Sequence, residues 1–510
     1  MKKKVIVIGA GVAGLASAIR LQNAGYQVAL YEKESTPGGK MNRVEVDGYK
    51  FDLGPSIVMM PEVYQELFEL CGRNPDDYIP MDKLDPMYRA YFSNAPTKPI
   101  DMSSDLVRLT KTIEAINPAD VGGFFQYLHE AHKLYAYARY DILEKPFRRH
   151  RDFYNHAMSK RNSNMRVLDT ANQFIGRYIK DERLKQIISF QTLYIGISPY
   201  KSPSFYTMIP MLQFLYGVWF IKGGMYTMAS SMERLFKELG GEIFYNQSVQ
   251  EICIDDKKAI GILVDGKKVS ADFVVCNADF PYAMKNLVKE PAAKGKFTDK
   301  KLDKMKYTCS CFLLYLGMDR KYTEVERVHN FIFNEKLDKN LEDIFSGKKL
   351  EDASFYVYIA SKMDPTLAPD GKDGLYILMP VSNAATANYD WNDETIAYYR
   401  GYILNALKKI PGFEHVEKEI VAEMCITPLD FEKKFNAFKG AAFGLQPTLS
   451  QSNHLRPQSK ATHCSNLYFT GSSTHPGAGV PIVLLSAKIA AQELMDDDQE
   501  VIQKLSSSKL

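Results

Sequence analysis

The chain has 510 residues and a formal net charge of +3, with 64 basic side chains set against 61 acidic ones. That length supports two or three domains and a large core. A balance so even excludes capture of nucleic acid by overall charge. The seven cysteines (Cys71, Cys253, Cys276, Cys309, Cys311, Cys425, Cys464) are odd in number, scattered and free of any C-x-x-C pair, which fits a reducing cytosol.

Taken in chain order, the first element is the most informative. Val5-Ile6-Val7-Ile8 reads as a buried parallel strand. Gly9-Ala10-Gly11-Val12-Ala13-Gly14 follows and opens an Ala/Leu-rich helix. Gly9 permits a tight turn, Gly11 lets the main chain approach a pyrophosphate, and Gly14 lets the helix pack close to the strand. The helix N-terminus offers free N–H groups and a positive dipole end to the phosphates. Val28–Tyr31 is the next strand. Glu32 ends it, 18 residues past Gly14, placed to accept hydrogen bonds from ribose hydroxyls and to repel a 2′-phosphate. Gly38-Gly39-Lys40 then brings a second glycine pair and a cation back towards ribose and phosphates, which points to FAD over NAD. Lys2-Lys3-Lys4, Val5–Leu15 and Ala16-Ser17-Ala18 imitate a secretory signal. Cleavage there would destroy the nucleotide fingerprint, so that reading is rejected.

Met41–Val46 and Tyr49–Asp52 flank Asp47-Gly48, a two-residue hairpin signal. In Asp52-Leu53-Gly54-Pro55-Ser56, Gly54 and Pro55 read as flavin-side backbone, with a plain loop as the alternative. Pro61–Cys71 looks helical, and the Pro and Asp punctuation from Asn74 to Pro86 marks a domain boundary. Apolar residues recur at helical spacing from Ser103 to about Tyr140. Arg139 to Arg166 holds eight Lys/Arg against three acids, interleaved with Phe147, Phe153 and Tyr154. It reads either as a patch on an anionic membrane or as a solvated face. No nucleic-acid fold signature accompanies it. Ser202 to Ile221 is uncharged over 20 residues, the length of a transmembrane helix. Pro210, Gln213 and Gly217 interrupt it, so a bent apolar segment lining a pocket or dipping into an interface is expected.

Lys222-Gly223-Gly224-Met225 precedes a helix that ends near Leu239-Gly240-Gly241. A βαβ return to the nucleotide domain is expected through Glu242–Tyr245, Val249–Ile254, the Asp265-Gly266 hairpin and Phe273–Cys276. Asn277-Ala278-Asp279 ends it at the carboxyl edge, where open α/β sheets bind ligands. Ser310–Leu316, Phe355–Ile359 and Leu375–Pro380 read as an antiparallel sheet, with a helix over Glu394–Ile410. Cys309-x-Cys311 reads as core packing. At the end, the strand Leu467–Phe469 enters a glycine-rich loop, Thr470 to Gly479, and a helix starts with Pro481 near its first position. A helix N-terminus aimed at a flavin ring favours the negative charge of the reduced form. His475 stands alone in that loop and is read as ordering it. No metal-ligand cluster and no Ser-His-Asp arrangement is visible.

These runs resemble the two-dinucleotide-binding-domain flavoproteins, the superfamily of amine oxidases and carotenoid desaturases. The closest resemblance is to bacterial carotenoid desaturases of the phytoene-desaturase type, in their C30 branch. The residues that carry it are the Gly9–Gly14 fingerprint with Glu32 and Gly38-Gly39-Lys40, and the runs Asp52 to Pro61, Phe190 to Gly196, Phe220 to Tyr226 and Ser473 to Ile482. The resemblance implies an α/β fold with a Rossmann-type FAD-binding domain in three parts (1–85, 222–295 and 456–510). It also implies a helical, membrane-facing lid (86–221) and a mixed-sheet substrate domain (296–455). Cofactor contacts are implied at Ile8, Gly9, Gly11, Val12, Ala13, Gly14, Glu32, Lys33, Gly38, Gly39, Lys40, Gly54, Pro55, Ser56 and Ile57. The remaining contacts fall at Val249, Asn277, Gly471, Ser472, Gly479, Val480 and Pro481. Val249 matches the position whose main chain contacts adenine. One departure is that Gly471 is followed by Ser472-Ser473 where the wider superfamily carries an acidic residue near the flavin ribitol.

The activity so implied is an FAD enzyme, peripheral on the cytoplasmic face of the cell membrane, that oxidises a colourless C30 polyene stepwise to coloured products. Desaturation needs a two-electron acceptor, which no side chain supplies. The expected chemistry is hydride transfer to flavin with proton loss from the neighbouring carbon, and no residue declares itself as the base. The alternatives are a terminal-methyl oxidase or isomerase of the same family, a soluble amine oxidase, and a non-enzymatic prenyl-lipid carrier with this fold.

Overall fold

The structure, a computed structural model, describes residues 2–147, 152 and 169–507. Strand β1 (Lys4–Ile8) is buried from Val5 onward. Helix α1 (Val12–Asn23) returns the chain to β2 (Gln27–Tyr31). The expected hairpin is β3 (Arg43–Val46) with β4 (Tyr49–Asp52), and its turn residues Asp47 and Gly48 have φ of 48° and 84°. It begins later than expected because Gly39–Met41 forms a 3-10 turn. After α2 (Pro61–Glu69), the chain leaves through β5 (Met81–Leu84). Next come β6 (Tyr88–Phe92), β7 (Ile100–Met102), α3 (Leu106–Ile116), α4 (Asp120–Ala138) and α5 (Met208–Tyr216). The return strand, β8 (Val218–Ile221), pairs antiparallel with β5, which zips the outward and homeward crossings together.

Helix α6 (Tyr226–Glu238) leads into β9 (Glu242–Phe244), β10 (Val249–Asp255), β11 (Lys258–Val264), β12 (Lys267–Ser270) and β13 (Phe273–Cys276). The third stretch holds β14 (Ser310–Met318), β15 (His329–Phe333), β16 (Phe355–Tyr358), β17 (Gly374–Val381), α7 (Asp393–Leu407) and β18 (Ile420–Ile426). The described chain ends with β19 (Leu467–Phe469) and the 28-residue α8 (Val480–Ser507).

Two sheets dominate. One is five-stranded and parallel in the order β19-β13-β1-β2-β9, so the last strand of the chain joins the sheet of the first, with β13 between them. Helix α1 packs against α6 and α8 on it. The closing helix is also tied to the opening strand by polar contacts. Lys3 pairs with Asp498, and the Tyr26 hydroxyl donates to the same carboxylate at 3.0 Å. The other sheet is seven-stranded, in the order β18-β14-β17-β16-β15-β6-β7, antiparallel except for the β6–β15 pair.

Three expectations need correction. The β9-to-β13 link carries no helix; β10–β12 form a separate three-stranded antiparallel meander instead. Residues 88–102, assigned to the lid, supply β6 and β7 to the substrate sheet. Strands β15 and β18 were not anticipated. In β15 every residue is buried, so it shows no alternation to read. The basic segment is only partly visible: 148–151 and 153–168, with Phe153 and Tyr154, lie outside the described residues. The uncharged run does bend as expected. It forms a 3-10 turn at Ser204–Thr207, then α5, then a break at Gly217 (φ 86°), then β8. Among the described residues, no helix is long and apolar enough to cross a membrane.

Candidate active site

At the carboxyl edge of the parallel sheet, the glycines make a site out of main chain. Gly9 turns at φ 93°, and its N–H donates to the Tyr31 carbonyl at 2.8 Å. Gly11 is the N-cap of α1 and has no side-chain cap, so the first-turn N–H groups remain available to an anion. The second glycine pair folds back as expected. Gly38 N–H donates to the Ala10 carbonyl at 2.9 Å, and a Cβ on Gly39 would sit 3.3 Å from Gly11 Cα. Glu32 is buried at the end of β2. Its Oε2 accepts from Ala10 N–H at 2.6 Å and its Oε1 from Glu34 N–H at 2.9 Å. Burial pushes this carboxyl up, while those two main-chain donors pull it down. Each oxygen keeps a lone pair for a hydroxyl.

One cavity of about 520 Å³ is lined both by this edge and by the loop that closes the chain. Its wall carries Ile8, Gly9, Gly11, Val12, Ala13, Glu32, Lys33, Gly38, Gly39, Lys40, Gly54, Pro55, Ser56, Ile57, Val249, Asn277, Gly471, Ser472, Gly479, Val480 and Pro481. Gly14 is the exception among the expected contacts: it lies off the wall, and a Cβ there would run into the Gly9 carbonyl oxygen. Its role is packing of α1 on β1.

Two of these wall residues also make contacts within the protein. The Lys40 ammonium does not return to the glycine turn; it donates to the Ala442 carbonyl at 2.8 Å. Burial lowers its pKa, against a raising influence from Asp279 and Cys311. Gly54 makes room for protein, since a Cβ there would come within 2.5 Å of the Lys40 carbonyl oxygen.

The closing loop is held by Asp279, at the strand end already expected to face a ligand, and by Arg456, which no motif marks. A carboxylate does stand beside the Ser472-Ser473 departure: Ser473 Oγ donates to Asp279 Oδ1 at 2.5 Å, and Phe438 N–H donates to Asp279 Oδ2 at 3.0 Å. Arg456 is almost fully buried and donates to four backbone carbonyls, those of Gln451, Leu445, Thr474 and Ser472, at 3.2, 3.0, 3.0 and 2.6 Å. Burial lowers its pKa to about 10, so it remains a cation at neutral pH. The N-terminus of α8 opens on the same cavity through Val480 and Pro481. His475 acts as an ordering residue. Its Nε2 lies 3.1 Å from the carbonyls of both Ile142 and Lys145, and burial lowers its pKa to about 4.

The far end of the cavity is built from side chains. Phe331 and Phe333 of β15, Tyr356 of β16 and Tyr376, Leu378 and Pro380 of β17 face it. Cys309 and Cys311 are buried in the core as expected, and they also line this end of the cavity. The lid contributes Tyr135, Leu143, Phe205 and Leu212. Within this apolar wall sits a small polar group. Tyr356 Oη lies 2.9 Å from Ser56 Oγ and 2.6 Å from His329 Nδ1. Burial drives His329 down to about 3.

Main-chain turns shaped for phosphates, a carboxylate placed for a ribose, two helix N-termini and an apolar chamber share one cavity, an arrangement that fits FAD and defines a flavin-dependent oxidoreductase. The chain belongs to the family of flavin containing amine oxidoreductases, which it matches over residues 12–495. It is 42% identical over 496 residues to a 4,4′-diapophytoene desaturase (4,4′-diaponeurosporene-forming) of Staphylococcus haemolyticus, covering 97% of this chain and 99% of that protein. A Staphylococcus aureus (strain Newman) desaturase of the same description is 43% identical over 498 residues, at 97% and 99% coverage. Among solved structures, a putrescine oxidase double mutant superposes with a TM-score of 0.65 at 14% identity, covering 97% of this chain and 99% of that one.

Proposed function

We propose that this enzyme desaturates the apolar C30 polyene 4,4′-diapophytoene stepwise to 4,4′-diaponeurosporene and related coloured products. The observation that carries this reading is the single cavity, whose dinucleotide end is main chain and whose other end is an aromatic and aliphatic wall. The near full-length identity to desaturases of that description supports it. Bound FAD supplies the two-electron acceptor that no side chain can provide. The chain's own share is positional. The substrate sheet aligns the polyene, the aromatic wall excludes water, and Arg456 with the α8 N-terminus favours negative charge at the closing loop.

The test is anaerobic mixing of the purified holoprotein with 4,4′-diapophytoene. Bleaching of bound flavin together with new visible absorption is expected. Bleaching by putrescine and not by the polyene would make it an amine oxidase. A colourless protein that takes up no FAD would make it a lipid carrier, and products oxidised at terminal methyl groups would place it with the sister oxidases.

The lid is the proposed docking face for one leaflet of a membrane. Val107 on α3 is 64% exposed, and Tyr216 at the end of α5 is 43% exposed. The cavity wall includes Leu212, one turn before Tyr216, so an apolar substrate would enter from the bilayer without crossing water. Flotation with anionic vesicles checks this. Val107→Asp with Tyr216→Asp is expected to release the protein, and unchanged flotation would overturn the assignment.

A further inference from the structure

Loss of a hydride from one carbon leaves a proton on its neighbour that must go somewhere. The titratable groups around the cavity narrow the choice. His475 is turned to two backbone carbonyls. Both oxygens of Asp279 are engaged, and Lys40 donates to Ala442. Burial pushes the Cys309 and Cys311 thiols up, so neither is a ready thiolate.

A linked pair of titratable groups stands in the substrate sheet. Tyr356 is on the cavity wall, bracketed by Ser56 and by His329. His329 is only 1% exposed, and its Nε2 has no partner among the described residues. Its ring stacks on Tyr358 at 5.1 Å, and the Tyr358 hydroxyl reaches Asp52 at 3.3 Å. Burying an imidazole with an unmet nitrogen is costly. A wall meant only to hold hydrocarbon is served by phenylalanine, as at Phe331 and Phe333 alongside.

We propose that Tyr356 and His329 together take up the proton lost by the polyene, an inference that rests on the desaturase reading above. The C–H bond beside the carbon that gives up its hydride breaks, and its electron pair becomes the new π bond. The proton passes to Tyr356 Oη while the tyrosine's own proton moves to His329 Nδ1, leaving an imidazolium. Bound FAD would supply the two-electron oxidant that balances this step. Ser56 Oγ–H donates to Tyr356 Oη and so steers the tyrosine hydroxyl towards His329. A carbon acid next to an allylic cation needs only a weak base, and the low pKa of His329 keeps the ring neutral and ready at working pH.

The experiment uses holoprotein with 4,4′-diapophytoene deuterated at the proton-losing carbon, in the wild type and in Tyr356→Phe, His329→Asn and Ser56→Ala. Asparagine can keep the hydrogen bond to Tyr356 but cannot take a proton. Turnover is expected to fall about 100-fold in Tyr356→Phe and His329→Asn, as for loss of general acid–base catalysis, with a larger deuterium effect at that carbon. Ser56→Ala is expected to show a smaller loss and the same rise. Histidine 15N spectra of the resting holoprotein should show His329 neutral with Nδ1 unprotonated. Wild-type turnover in His329→Asn, a fall without a rise in the isotope effect, or a protonated Nδ1 would each overturn the proposal. Should either larger variant fail to retain FAD, the isotope effect in Ser56→Ala decides in the same two directions. A wild type that leaves the polyene untouched refutes the desaturase reading itself.

Discussion

The two ends of the cavity are made of different materials. At the dinucleotide end the contacts are main chain: Gly9, Gly11, Gly38 and Gly39 line the wall, and even the Glu32 carboxylate is fixed by two backbone N–H groups. At the substrate end the contacts are side chains projecting from strands of a mixed sheet. A main-chain site tolerates no added atom, because backbone cannot rotate out of the way. A side-chain wall can be reshaped residue by residue while the fold is kept.

The sharpest way to break that contrast is Gly14→Ala. The new methyl would meet the Gly9 carbonyl, and α1 would have to move off β1. Loss of bound flavin from the purified protein is expected, read as the ratio of visible to ultraviolet absorbance, together with a cooperative unfolding midpoint well below that of the wild type. Full flavin content would show that the turn has slack the contrast denies it.

The same difference explains what could be read in advance. The dinucleotide end is local: strand, glycine turn, helix, strand and acid fall within the first forty or so residues, and each glycine answers one steric demand. The hairpin at Asp47-Gly48 was legible for the same reason. The substrate end is assembled at long range. His329 and Tyr356 meet only because β15 and β16 pair, and both strands are buried throughout, so neither carries a period to betray its faces. Arg456 announces itself in nothing but an odd arginine between Leu455 and Pro457. Asp279 is legible as part of the Asn277-Ala278-Asp279 strand end at the sheet's carboxyl edge, but its partners Ser473 and Phe438 are not, because they arrive from far along the chain. Lys40 lies on the wall as its motif implies, and its ammonium also donates to the carbonyl of Ala442, 402 residues on, a contact that no local pattern foretells.

Glu32→Ala tests whether the carboxylate at the main-chain end carries weight of its own. It strips the acceptor from Ala10 N–H and Glu34 N–H as well as from a ribose. A hydrogen bond to a charged group contributes about 1.5–3 kcal/mol, so FAD affinity should fall roughly 10- to 100-fold. Titration of apoprotein with FAD, followed by quenching of flavin fluorescence, measures it. An unchanged dissociation constant would show that the carboxylate adds nothing to the main-chain turns.

A pH-dependent effect is expected at the seam between the two ends. Asp52 ends β4, accepts from Met225 N–H at 2.7 Å and Tyr226 N–H at 3.3 Å at the start of α6, and meets the Tyr358 hydroxyl of the substrate sheet at 3.3 Å. Burial lifts its pKa to about 7, outweighing those hydrogen bonds and the pull of Arg43. A carboxyl raised in the folded state binds its proton more tightly there than in the unfolded chain. Its contribution to stability is therefore complete below about pH 4 and is lost as the pH rises through about 7, on the order of 4 kcal/mol in the limit. An asparagine side chain at this position would keep an acceptor for Met225 and Tyr226 and would have no proton to lose. Asp52→Asn should accordingly gain on the wild type as the pH is raised from 5 to 8, in melting curves of the holoprotein taken side by side. A difference that stays constant across that range would mean that the seam is wet enough to ionise freely, and that the two ends are less tightly joined than their shared carboxylate implies.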